Sequence, residues 1–322
     1  MKNYFVTLFD SHYLSRGLIL HESLKEVTDN FHLFILAIDE ICFEQLSRLN
    51  IEKATIISMD DFEDEELKRI KEERLRSEFC WSCTAKLILY VMKKYNVPSC
   101  TYVDSDLCFF EDPQVLLDEM DKSKNVMITE HRYTAEYNQE EVSGKYCVQF
   151  MNFKNNEEGH KVLQWWSDRC IEWCYAIPEE GKCGDQKYLD DWVTRFRGIH
   201  ELQHLGGGVA PWNVQQYSFN SANERIYLSC IEDSKQFPLV FYHFHKLVFF
   251  DKDVVKLTSA FYQMPDTAVS FIYKKYIRLS DYVCNKYELW ENGNIWRNEE
   301  IYKSDINKLK HEHHYYNYSL FL

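Results

Sequence analysis

Two aspartates, Asp104 and Asp106, flank Ser105 in "SCTYVDSDLCFFEDP" (residues 99 to 113), directly after a short apolar stretch. In an extended segment residues i and i+2 point to one side, so both carboxylates address one ion while Ser105 points away. Two hard oxygen donors suit Mg²⁺ or Mn²⁺, which keep their other positions for water and substrate phosphates. Such an ion stabilises the charge that builds on a departing phosphate group. The same run also caps turns where strands end, and the pattern is short and frequent. Its surroundings add weight. The acidic turn Glu111-Asp112-Pro113 follows it, and the late stretch "FYHFHK" (241 to 246) offers a third ligand at His243 or His245.

The elements around these residues read as alternating strand and helix. "NYFVTLF" (3 to 9), "FHLFILAI" (31 to 38) and "ATIISM" (54 to 59) are apolar runs, separated by helical spacing in "SRGLILHESLKEV" (15 to 27) and "CFEQLSRL" (42 to 49). The charged stretch 60 to 76 reads as a solvated helix with i,i+4 pairs. "CTAKLILYVMKKY" (83 to 95) is an amphipathic helix stopped by Asn96-Val97-Pro98 before the strand that carries the aspartates. That order predicts an α/β fold with a mixed, mostly parallel sheet, and it puts the aspartates at a carboxyl strand end, where open sheets bind ligands. Further strands are expected at 125 to 130, 146 to 153 and 238 to 245, and helices at 157 to 175 and 184 to 196. After about residue 250 the alternation gives way to a helical extension, which divides the chain into 1–250 and 251–322.

Composition excludes several classes. Apolar residues make up 45% of 322 residues with six prolines and ten glycines, which is the composition of a folded chain, not a disordered one. A net charge of -14 argues against general nucleic-acid binding, which needs a basic face. Eleven cysteines, spread from Cys42 to Cys284 with no signal peptide before them, fit a reducing cytosol. The one CxxC, Cys80 to Cys83, lacks the second pair that a zinc knuckle needs, so these thiols read as small buried hydrophobes. No apolar run reaches transmembrane length.

Taken together these motifs resemble the GT-A fold nucleotide-sugar glycosyltransferases, most closely the family 8 type that includes glycogenin and bacterial lipopolysaccharide galactosyltransferases. The resemblance covers roughly residues 1 to 250. "TLFDSHYLSRGLILHESL" is similar to that family's opening strand and helix, which implies that Thr7, Asp10 and Tyr13 lie near the nucleotide base and ribose. "CTAKLILYVMKKYNVPSCTYVDSD" resembles the family's basic residue, helix and DxD, which implies Lys86 near the donor phosphates, with Asp104 and Ser105 beside the donor. "CVQFMNFKN" (147 to 155) resembles a strand that normally starts with asparagine and glycine around the sugar; Lys145 and Cys147 stand in those places, while Gln149 and Asn152 are candidates for the pocket lining. "GDQKYLDD" resembles the family's Asp-Gln helix start, implying that Asp185 contacts sugar or acceptor and Gln186 lies near the anomeric carbon. "GGGVAPWN" (206 to 213) resembles the loop over donor and acceptor, with Gly207 and Gly208 approaching the donor; a plain turn ahead of Trp212 is the other reading. The late histidine motif implies His243, joined to Asp104 and Asp106, as a ligand of Mn²⁺ or Mg²⁺, and Lys246 as a substitute for the family's missing lysine. The implied reaction transfers a hexose from a UDP-sugar to a carbohydrate or lipid-linked glycan acceptor with retention, in the cytosol or at the inner membrane face.

Two rivals stand beside this reading. A haloacid-dehalogenase-like phosphohydrolase also needs a strand followed by DxD, and Gly184-Asp185 with Asp190-Asp191 imitates its second acidic motif, although Cys108 stands where that family has threonine or valine. A sugar-nucleotide-binding protein without turnover is the second. The span "FIYKKYIRLSDYVCNKYELW" (271 to 290) mixes aromatic and basic residues; it is read either as a packing extension or as a helix lying in a membrane interface. The final "HEHHYYNYSLFL" is too short to assign.

Overall fold

The computed structural model of the protein describes residues 2–179, 181–223, 225–232, 234–250, 254–289, 315–317 and 321–322. In chain order the first elements are β1 (Asn3–Phe9), α1 (Leu14–Val27), β2 (Phe31–Ala37), α2 (Glu40–Leu49), β3 (Ala54–Ile57), α3 (Met59–Phe62), α4 (Glu65–Glu73) and α5 (Arg76–Tyr95). Next come β4 (Ser99–Val103), β5 (Leu107–Phe109), α6 (Gln114–Leu117), β6 (Val126–Glu130), α7 (Glu140–Ser143), β7 (Tyr146–Lys154) and α8 (Glu157–Glu172). Then follow α9 (Trp192–Arg195), β8 (Ile199–Glu201), β9 (Tyr217–Ala222), β10 (Arg225–Cys230), β11 (Gln236–Pro238), β12 (Phe241–His243), β13 (Val248–Phe249) and β14 (Val254–Lys256), then α10 (Asp266–Ala268), α11 (Lys274–Lys286) and β15 (Tyr315–Asn317).

β1 and β2 are apolar along nearly their whole length because both faces are covered. Phe5 and Phe9 of β1 join one large core cluster with α1 and α11, whereas Val6 and Leu8 join another with α5 and α8. The result is a sheet between two helical layers. Its seven strands run β3-β2-β1-β4-β7-β6-β8, parallel except where β7 lies antiparallel to β4 and β6. β1 has β2 on one side and β4 on the other, so the strand order reverses there and opens a crevice beyond their carboxyl ends.

Local chemistry sets most element ends. Asp39, Asp64 and Asn156 accept hydrogen bonds from the first-turn amides of α2, α4 and α8. Asn96 takes the left-handed conformation (φ 49°) that ends α5 ahead of Pro98. Other boundaries differ from the expectation. The stretch 60 to 76 breaks at Asp64, whose cap starts a new helix, and α5 begins at Arg76, seven residues before the position its apolar spacing suggests. Residues 184 to 196 form a tight turn over Lys187–Asp191 followed by one turn of α9, not a single helix, and β12 is confined to three residues.

β12 is nonetheless the strand that matters. It pairs antiparallel with β5, His243 opposite Leu107, and its other edge meets the glycine segment, where Val209 bridges Tyr242 and the Gly206 carbonyl accepts from the Val240 and Phe241 amides. All three glycines of this segment are buried. A Cβ on Gly206 would lie 2.0 Å from the Pro238 carbonyl oxygen, and Gly208 holds φ at +93°. Half-buried Arg132 then ties the segment down through the carbonyls of Leu202, His204 and Gly207.

Beyond residue 250 the described chain packs onto the α1 layer. Tyr273, Tyr276, Ile277 and Val283 are buried, and Glu22 of α1 receives the Lys286 ammonium at 2.8 Å and the Tyr287 hydroxyl at 2.7 Å. Tyr273 and Tyr276 of the aromatic stripe are therefore core, Tyr282 is exposed, and the last residue of the span, Trp290, lies outside the described residues. Of the final "HEHHYYNYSLFL", Tyr315–Asn317 pair with Val254–Lys256, Phe321 and Leu322 are also described, and the rest lies outside the described residues. No helix among the described residues is long and apolar enough to cross a membrane.

Replacing Gly206 by Ala forces a methyl group against a backbone oxygen and is expected to cost ~1–3 kcal/mol or more of unfolding free energy. Urea denaturation checks this; an unchanged midpoint contradicts the close approach described here.

Candidate active site

A cavity of ≈ 630 Å³ opens at the crevice between β1 and β4. Its lining includes Asp10 and Tyr13 past β1, Asp104 to Asp106 past β4, and Asp185, Gln186 and His243 from distant segments. The aspartates do not lie in extended chain. Residues 104 to 106 form the turn that joins β4 to β5, closed by the Leu107 amide on the Asp104 carbonyl at 3.2 Å. Both aspartates still line the cavity and face His243, and Ser105, expected to point away, lines the cavity as well.

The β5–β12 register brings His243 to them across 137 residues of sequence. Its Nε2 stands 3.1 Å from Asp106 Oδ1 and 3.9 Å from Asp104 Oδ2. Its Nδ1 faces Gln149 Oε1 at 3.0 Å. An imidazole that donates Nδ1–H to an amide oxygen presents the Nε2 lone pair to a cation. Two carboxylates and such an imidazole form a donor set suited to a divalent ion. His245 lines the same cavity, its ring 5.8 Å from that of His243; burial, followed by the His243 charge, lowers it to about 4.

Charge is crowded here. Burial pushes Asp104 up to about 6, with Asp106 adding to the rise and His243 opposing it. For Asp106 burial also acts upward, yet the imidazolium of His243 prevails and holds it at about 2. Asp185 is 5% exposed, and burial together with the Asp104 charge pushes it up to about 8 against a hydrogen bond from Thr84. Its backbone carbonyl is fixed by Trp166 Nε1 at 2.9 Å, while Gln186 anchors its amide on the Ser143 carbonyl at 2.9 Å.

Other expected residues fall elsewhere. Lys86 sits ten residues into α5, ~15 Å along the axis from its start, and is held by Asp64 at 2.6 Å and Glu66 at 3.0 Å. Arg76, the first residue of α5, lines the cavity instead and pairs with Asp10 and Asp39, each at 2.9 Å. Thr7 is fully buried, turned to the α1 side of the sheet away from the lining, with its hydroxyl unpartnered. Asn152 is spent on the Thr101 hydroxyl of the neighbouring strand at 2.8 Å. Gln149 orients His243 and is not itself part of the lining. Gly207 and Gly208 pack inward, and Lys246 (φ 59°) is an exposed residue beside His245, outside the lining.

Asp190 and Asp191, the second acidic pair of the phosphohydrolase reading, engage Lys187 and Arg195 at the surface and do not line the cavity. Sequence reasoning missed the aromatic wall. Trp212 meets the rings of His131 and His243 edge-on at 5.3 Å each, and His131 stacks on Tyr133 at 4.5 Å. The available signal was "HRY" (131 to 133), a polar aromatic triplet directly after the apolar β6.

No protein-family model matches the chain. Two Bacillus subtilis (strain 168) proteins described as uncharacterized are similar along most of their length. YfnD is 28% identical over 279 residues, 85% of this chain and 87% of YfnD. YfnF is 30% identical over 251 residues, 76% of this chain and 81% of YfnF. Among solved structures, that of the galactosyltransferase LgtC in complex with donor and acceptor sugar analogs superposes with a TM-score of 0.52 at 12% identity, covering 87% of this chain and 95% of LgtC. An active-site mutant of LgtC gives 0.53. The architecture is thus the GT-A fold, resembling family 8, and by sequence the chain belongs to the same family as YfnF.

Proposed function

We propose that the protein is a metal-dependent glycosyltransferase that moves a hexose from a UDP-sugar to a carbohydrate acceptor with retention at the anomeric carbon. The observation that carries this reading is the convergence of Asp104, Asp106 and His243 in the crevice of a GT-A fold. These three would hold Mn²⁺ or Mg²⁺. When bound, the ion supplies positive charge to the diphosphate that leaves.

The chain's own residues do the rest. Tyr13, 41% exposed with Arg16 over its ring at 4.5 Å, offers a face to the nucleotide base. Asp10 has one carboxylate oxygen on Arg76 and the other on the His12 and Tyr13 amides, which fixes the ribose side of the cavity. Arg76, not Lys86, is the basic side chain in the described lining. Asp185, whose neutral form is favoured in the metal-free protein by burial and by the Asp104 charge, contacts a sugar hydroxyl. Gln186 positions the sugar, and the wall of Trp212, His131 and Tyr133 keeps water from the anomeric carbon. A lipid-linked glycan is the acceptor for which the outward Lys274, Arg278 and Tyr282 of the last helical span would meet a membrane interface.

Thermal unfolding with UDP-sugars tests the donor reading: Mn²⁺ together with a UDP-sugar raises the midpoint, and chelator removes the rise. Affinity for UDP that ignores chelator contradicts it. Asp106→Asn keeps the fold and lowers transfer about 100-fold or more, the scale of losing one electrostatic stabiliser; full activity in that variant removes the mechanism.

Asp185 gives a pH test. Its folded pKa of about 8 exceeds the ordinary 3.8, so the folded state binds the proton more tightly and stability falls as pH rises between those values. Asp185→Asn cannot ionise. In metal-free protein this variant matches the wild type near pH 4 and exceeds it in unfolding free energy at pH 8, as measured by urea denaturation; a gap independent of pH refutes the buried neutral acid.

A further inference from the structure

Cys147, near the start of β7, is 5% exposed and lines the cavity on the same side as the aspartates. Its Sγ, an Asp104 carboxylate oxygen and a His243 ring nitrogen lie within 4.8 Å of one another. Among the described residues this is the one group of three His, Cys, Asp or Glu side chains so arranged. Ligands of one ion with metal–sulfur bonds of ~2.3 Å and metal–nitrogen or metal–oxygen bonds of ~2.0–2.2 Å stand no more than ~4.5 Å apart. The three atoms reach that spacing with shifts of a few tenths of an ångström. The sulfur is also in hydrogen-bond contact with His243 and with the Gln149 backbone, and Cys147 packs in one cluster with Tyr137, Ala210, Trp212 and Tyr262.

We propose that Cys147 is a protein ligand of this site beside Asp104 and His243, so that the site takes a sulfur-accepting first-row cation such as Co²⁺, Fe²⁺ or Zn²⁺ in preference to Mg²⁺. The proposal rests on Asp104 and His243 being metal ligands, as read above, and narrows the ion they hold. Hard Mg²⁺ gains nothing from a thiolate, whereas softer ions do. On binding, the S–H bond is replaced by a sulfur–metal bond and the proton passes to buffer, with no change of oxidation state.

Cobalt titration of the full, reduced, nucleotide-free chain tests this. Wild-type protein develops the near-ultraviolet thiolate-to-Co²⁺ charge-transfer band, saturating at one ion. Cys147→Ser lacks the band, binds Co²⁺ about tenfold or more weakly by calorimetry, and keeps its Mg²⁺ affinity. Cys147→Ala gives the same pattern if serine perturbs folding, which circular dichroism reports. A band that survives in both variants, or wild-type Co²⁺ binding without a band, overturns the proposal and leaves the glycosyltransferase reading intact. A band with no transfer from any UDP-sugar supports the thiolate ligand and counts against that reading. Wild-type protein that binds no divalent ion removes both.

Discussion

The three-residue pairing of β5 with β12 governs the functional end of this protein, because it sets where a histidine meets two aspartates. Antiparallel register puts His243 opposite Leu107, one residue past Asp106, and the Phe244 amide closes on the Asp106 carbonyl at 2.9 Å. A slip of one residue would turn the imidazole to the other face of the strand. The register is held from behind by the buried glycine segment, whose lack of side chains lets Gly206 approach the backbone before β12, and by Arg132, which collects its carbonyls. Segments far apart in the chain thus act as one frame.

That frame concentrates charge that water would otherwise disperse. Asp104, Asp106 and Asp185 share a buried corner in which ionisation of one raises the cost for the next, and His243 resolves the conflict for Asp106 more than for Asp104. A divalent cation settles such an arrangement, and a sulfur atom near the same point bears on which cation that is. The acidic protein carries little compensating positive charge at the cavity: Lys86 is committed to Asp64 and Glu66, and Arg76 is divided between Asp10 and Asp39.

Much of this was legible in the residues. Apolar runs marked β1, β2 and β4, helical apolar spacing marked α1, α2 and the body of α5, and the position of the aspartates after a strand placed them in a crevice. What was not legible is instructive. Lys86 and Arg76 lie on one helix, and helical spacing alone cannot say which of them faces the crevice, since that depends on where the helix begins relative to the sheet. Asn152 and Gln149 are both polar residues on β7. One meets Thr101 across a strand pair and the other meets His243, and each partner belongs to a strand whose register is a tertiary fact.

The amino-acid order by itself determined the first strands of the sheet, the helices between them and which residue types are available for chemistry, because hydrophobic spacing acts over a few residues. Only the folded structure decided that the aspartate turn, His243, Asp185 and Cys147 share one corner while Lys86, Thr7 and the glycines do not. The reason is that strand register, helix placement and backbone close approach are set by packing between segments distant in sequence, about which local pattern carries no information.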